Sequence, residues 1–208
     1  EGDKLGTQML YLAPIRTGTE AVILAAAPGA RDGQGEIYGL RASNIEDLSH
    51  LDEVEWVMEG AWDDQNLGQS MATMGSSSEP IFAIAAPSEF DSRIYLFRNE
   101  WEDTDPSQAS VIIDGDNIPS LGNSMVSDHD HDGDGLADLV LTRAHFDGSP
   151  DSVLVFFEPD RITRSLDVED AAPELLKGGG QVLHELGGRD SGPVFLQCVQ
   201  RRGARGGV

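Results

Sequence analysis

The sequence has a single cysteine, Cys198, and few cations: 14 Lys and Arg stand against 37 Asp and Glu, a net charge of −23 over 208 residues. One thiol excludes an internal disulfide framework and any zinc site built from cysteines. So large a surplus of carboxylate opposes broad contact with phosphate backbones or anionic bilayers, so no nucleic-acid partner is expected. Long apolar runs are missing too. The longest, at residues 21–27, falls far short of the ~20 residues that span a bilayer, and no membrane insertion is expected in this segment. The chain opens at Glu1 with no signal-like apolar stretch, so a targeting segment is expected to lie outside the sequence. A Gly-x-Ser-x-Gly elbow, a phosphate-binding Gly-Lys loop and a His-Glu-x-x-His helix are all absent.

What is present is an apolar content of 39%, enough to build a core, and repetition. Leu-Gly followed shortly by a small residue and Met recurs at Leu5-Gly6, Leu67-Gly68 and Leu121-Gly122, and a fourth Leu186-Gly187 follows without its unit. The spacing is roughly 55–65 residues, the size of three or four strands in a stacked β array. After each of the first three comes an apolar, β-prone run, at residues 21–28, 81–87 and 138–144, which predicts a buried central strand. A further strand is predicted at 36–40, 93–97 and 152–157. The polar connections between these pairs are short, which suits antiparallel hairpins and leaves no room for a crossover helix.

Longer acidic linkers at 41–59, 99–116 and 158–177 are expected to hold the outer strand of each sheet, most clearly Ala109-Ser110-Val111-Ile112-Ile113. The fold class is all-β: β-propeller blades of about four antiparallel strands each, in an incomplete propeller of about three blades and a partial one. The blades fall at 1–58, 59–114 and 115–177. Residues 178–208 read as a degenerate partial blade with a basic, Gly-rich tail, expected to be poorly ordered. Trp56, Trp62 and Trp101, in the linkers, are expected to seal blade interfaces.

Residues 128–138 carry five aspartates directly before the third central strand. Carboxylates this close repel one another unless a cation compensates, and hard oxygens on alternating residues suit calcium. A register from Asp128 resembles an EF-hand but puts Leu139 where the bidentate Glu belongs. The register from Asp130 works better. It places Asp130, Asp132 and Asp134 at positions 1, 3 and 5, Gly135 at the sharp turn, the Leu136 carbonyl at position 7 and Asp138 at position 9. Magnesium fits less well because it demands tight octahedral geometry, and His129 and His131, the residues that would favour zinc, fall at non-ligand positions. The alternative to a metal site is an ordinary Asp/Gly turn.

These residues carry a family resemblance. Leu121-Gly122-x-Ser124-Met125, the run from Asp130 to Leu139 and the closing Val153-Leu154-Val155-Phe156 resemble an FG-GAP repeat, the blade unit of the integrin alpha-chain propeller and of many bacterial surface proteins. The first unit is similar through Ala26-Ala27-Pro28-Gly29 and Gly35-Glu36-Ile37-Tyr38, the second through Ala85-Ala86-Pro87 and Ile94-Tyr95-Leu96-Phe97. About three-quarters of the chain is covered. In the first two units the place of the cation loop holds residues 13–20 and 74–80, which cannot chelate calcium. Family propellers commonly close with seven blades, so the resemblance implies a fragment whose partners include the remaining blades of the same chain.

The resemblance implies a calcium-binding, non-catalytic module of an extracellular, cell-surface or periplasmic protein, used in adhesion or in recognition of a protein or glycan ligand. Affinities of ~10⁻⁴–10⁻³ M for calcium in extracellular modules agree with an exported protein. The alternative is the propeller part of a secreted hydrolase or lyase whose active site lies outside this segment. Gly188-Arg189-Asp190-Ser191-Gly192-Pro193-Val194 resembles the nucleophile segment of chymotrypsin-like proteases, but it lacks one glycine and nothing upstream matches the His or Asp segments. No catalytic residue is assigned.

Overall fold

A computed structural model describes residues 2–13, 20–44, 50, 54, 56–76, 79–98, 105–116, 118–127, 130, 137–143, 152–156, 166–167 and 195–199. These residues form three sheets, none of them closed. The first runs in the order β1 (Gln8–Leu12), β2 (Val22–Ala27), β3 (Glu36–Arg41), β4 (Trp56–Glu59). The second runs β5 (Ser70–Ser76), β6 (Glu79–Ala86), β7 (Asp91–Arg98), β8 (Val111–Asp116). The third contains β9 (Met125–Val126), β10 (Leu139–Arg143) and β11 (Ser152–Phe156). A two-residue strand, β12 (Leu166–Asp167), pairs in parallel with β8 at the edge of the second sheet, and β13 (Phe195–Val199) completes the third beside β11. Every other pairing is antiparallel. Among the described residues no helix is long and apolar enough to cross a membrane.

The predicted strands fall in place at β2, β6, β10, β3, β7 and β11, and two of the three acidic linkers yield an outer strand, β4 and β8. The third does not. Its strand, β12, joins the second sheet, and the fourth strand of the third sheet comes from Phe195-Leu196-Gln197-Cys198-Val199, inside the tail expected to lack order. That run is β-prone, and in β11 it meets an unpaired edge that can accept it.

The sheets share one register. The row Met9, Ala25, Tyr38, Val57 across the first sheet corresponds to Met71, Ile84, Tyr95, Ile112 across the second and to Met125, Leu141, Leu154, Gln197 across the third. Side chains alternate between faces along each strand, and the second sheet buries both. Phe82, Ile84 and Ala86 of β6, with Tyr95 and Phe97 of β7, pack on Leu24, Ile37, Trp56 and Met58 of the first sheet. The intervening Ile81, Ala83, Ala85, Ile94 and Leu96 pack toward Leu139 and Leu141 of the third. Burial on both faces explains why β6 reads as a continuous apolar run rather than an alternating one. The first strands, β1, β5 and β9, lie side by side in that order.

The Leu-Gly motifs build three copies of one turn. In each, the residue before Leu has positive φ (Lys4 57°, Asn66 54°, Ser120 57°). Its carbonyl accepts from the N–H three residues on, in Thr7, Gln69 and Asn123, at 3.1, 3.0 and 3.1 Å. The glycine N–H then donates to the second strand of its own sheet, at Ala26, Ala85 and Thr142. Gly68 and Gly122 are also required by the sheet before them. A Cβ on Gly68 would lie 2.8 Å from Ala26 Cβ, and one on Gly122 would lie 3.0 Å from Ile94 Cδ1. Nothing lies within 4 Å of the corresponding position at Gly6.

Candidate functional site

The acidic loop lies in the connection between β9 and β10. In the second sheet the equivalent connection is two residues long, because Ser76 pairs with Glu79. In the third it runs through residues 127–138, which gives the chain the length a cation loop requires. Asp138, the last predicted ligand, is fully buried and directly precedes the buried Leu139 of β10, whereas Asp130 is exposed. Asp132, Asp134 and the Leu136 carbonyl lie outside the described residues, as do His129 and His131. Among the described residues no three His, Cys, Asp or Glu side chains come together as a metal-binding group.

Burial of Asp138 is the structural feature that fits a cation. A carboxylate removed from water is stable only when its charge is compensated, and a hard divalent ion held by alternating oxygens supplies such compensation. Calcium would be held by Asp130, Asp132, Asp134, the Leu136 carbonyl and Asp138. Its chemistry there would be structural, tying the β9–β10 connection to the start of β10.

Sequence reasoning did not single out a second polar cluster, at the far end of the β2–β3 hairpin. Arg31 pairs with Glu36 and, at 2.5 Å, with Glu59, while the Tyr38 hydroxyl donates to Glu36. Burial pushes the Glu36 carboxyl up, but the hydrogen bonds from Tyr38 and Arg31 outweigh it and hold the group below its ordinary range. Burial, and then the hydrogen bond to Glu36, push the Tyr38 phenol up to about 12. In the second sheet the position equivalent to Glu36 holds Arg93. Its guanidinium lies 5.0 Å from the centre of the Trp62 ring and 3.2 Å from Asp91. Trp56 and Trp62 thus sit at the junction of the first and second sheets, as expected of interface tryptophans; Trp101 lies outside the described residues. Buried Gln65 bridges the same junction, accepting from the N–H of Ala61 and donating to the Tyr95 hydroxyl at 2.9 Å. These contacts are structural. The Gly188-to-Val194 segment, with its candidate serine, lies outside the described residues. No family model matches the chain, and no curated protein matches it.

Proposed function

We propose that the three sheets are consecutive blades of a larger β-propeller of the FG-GAP type. In this reading the chain is a calcium-stabilised, non-catalytic recognition module of an extracellular, cell-surface or periplasmic protein, binding a protein or glycan ligand. The observation that carries the reading is the fit, made twice, between a Leu-Gly turn and the sheet before it, at Gly68 and at Gly122. Leu67 packs in the cluster shared with the first sheet and Leu121 in the cluster shared with the third. Leu5 is 47% exposed, and the space beside Gly6 is open. A further sheet of the same kind would occupy that space. Side-by-side first strands, and the packing of the second and third sheets each on the one before it, support this reading, because blades around an axis stack in that way.

Calcium is tested by thermal unfolding. Millimolar calcium is expected to raise the melting temperature, and Asp132→Ala combined with Asp134→Ala to abolish the increase. An undiminished increase in the double variant would overturn the assignment. Asp138→Asn, which removes the charge but keeps the shape, is expected to weaken the calcium response.

A further inference from the structure

The three Leu-Gly turns converge on one cavity. It has a volume of about 380 Å³ and is lined by Lys4 from the first turn, Asn66 and Gln69 from the second, and Ser120 and Asn123 from the third. The β6–β7 turn closes it with Ser88 and its neighbours. The cavity lies at the end of the third sheet opposite the acidic loop, since Gly122 bonds to Thr142 near the end of β10 while Asp138 precedes its start.

The backbone of this cavity is fixed and its side chains are available. Ser88 is buried, its carbonyl accepts from Ser120 N–H at 3.0 Å, and its hydroxyl oxygen accepts from Asp91 N–H at 2.8 Å, leaving the hydroxyl hydrogen to donate. Among the described residues the Gln69 and Asn123 carboxamides and the Lys4 ammonium make no side-chain hydrogen bond or ion pair. Asn66 commits only its NH₂, to the Asp64 carbonyl at 2.8 Å, and its oxygen is left to accept.

We infer that this cavity binds a neutral polyhydroxylated molecule of roughly monosaccharide size, a free sugar or the terminal unit of a glycan. The inference rests on the recognition-module reading and supplies its ligand class. Two lines of chemistry select that class. The carboxamides and hydroxyls of the lining both donate and accept, which matches vicinal hydroxyls that do the same. Lys4 is the sole cation of the lining and Glu89 its sole anion, so the wall carries no net charge to hold an ion, and the net charge of −23 disfavours anions generally.

The test is a titration of the ¹⁵N-labelled full chain with millimolar methyl glycosides of glucose, galactose and mannose, following the side-chain NH₂ signals of Gln69 and Asn123. Glycine and inorganic phosphate form the ionic arms. Saturable shifts are expected with at least one glycoside and with neither ionic probe, and affinity is expected to fall about tenfold in Gln69→Leu and in Asn123→Ala, the effect of one lost polar contact. Comparison of the responding glycoside with its disaccharide distinguishes a free sugar from a chain terminus. Absence of a shift with every glycoside, a response to phosphate or glycine alone, or unchanged affinity in both variants would overturn the inference. The calcium-dependent melting shift, measured on the same variants, reports the opposite end of the sheet. Failure of the cavity therefore leaves that shift intact, and failure of the cation loop leaves the glycoside titration readable.

Discussion

At the scale of single residues, the glycines of the Leu-Gly turns separate two costs that usually coincide. All three have positive φ (79°, 87° and 74° at Gly6, Gly68 and Gly122), so any Cβ meets the left-handed penalty of about 1–2 kcal/mol. At Gly68 it would also strike Ala26 and Ile37 of the preceding sheet, an overpacking of about 1–3 kcal/mol more. Gly6→Ala is therefore expected to show only the first loss in denaturant unfolding and Gly68→Ala both. Equal losses would mean that the turn and the sheet contact are not separate. Tyr38 gives a residue-scale prediction in pH. Its folded value of about 12 lies above its ordinary value of 10.0, so the stability it contributes is complete below pH 10 and is lost as pH rises toward 12. Phenolate absorbance should show that late ionisation, and Tyr38→Phe should remove it together with the alkaline loss of stability between those limits.

At the scale of elements, β6 and β7 are interior twice over, central in their sheet and in the stack. Phe82 and Phe97 stack across the pair with ring centres 5.0 Å apart on one face, while Ala83 and Leu96 face the other sheet. Amide hydrogen exchange is expected to be slowest in β6 and β7, and Ile84→Ala to cost about 2–5 kcal/mol as a core truncation. Faster exchange in β6 than in β2 would contradict the stacking order. The same elements explain what could be read from sequence. β2, β6 and β7 are dense in Ile, Leu, Phe and Ala because burial demands it, so they are visible as runs. β1 is a five-residue Gln-Met-Leu-Tyr-Leu segment, β5 mixes Ser, Thr and Gly with its Met, and β9 is two residues long, so none of them stands out as a run, although the turn before each is marked by Leu-Gly. β13 was missed because its partner is set by a free edge, a property of the folded sheet that no local pattern records. The acidic loop was legible through its spacing, yet the burial of Asp138 follows from its place at the mouth of β10. The cavity was not legible, since Lys4, Gln69 and Asn123 are ordinary polar residues until three distant turns bring them together.

At the scale of the whole molecule, the decisive asymmetry is between two equivalent faces. On the second sheet the face of Met71, Ile84 and Tyr95 is covered by the first sheet, with Met71 and Tyr95 buried to 6% and 2% exposure. On the first sheet the equivalent row begins at Met9, 69% exposed, and the neighbouring Tyr11 is 62% exposed. An aliphatic and aromatic sheet face of this kind, left in water, associates with whatever apolar surface it meets. Despite a net charge of −23, which opposes association, the 208-residue chain is expected to self-associate in solution, increasingly so as salt screens that charge. Light scattering coupled to size-exclusion chromatography would measure this. Met9→Lys combined with Tyr11→Lys should shift the chain to monomer at all salt concentrations while leaving the melting temperature within a few degrees, because neither side chain is part of the buried clusters. Retention of the oligomer in that variant would place the contact elsewhere, and a chain that stays monomeric at high salt without substitution would show that this face needs no cover.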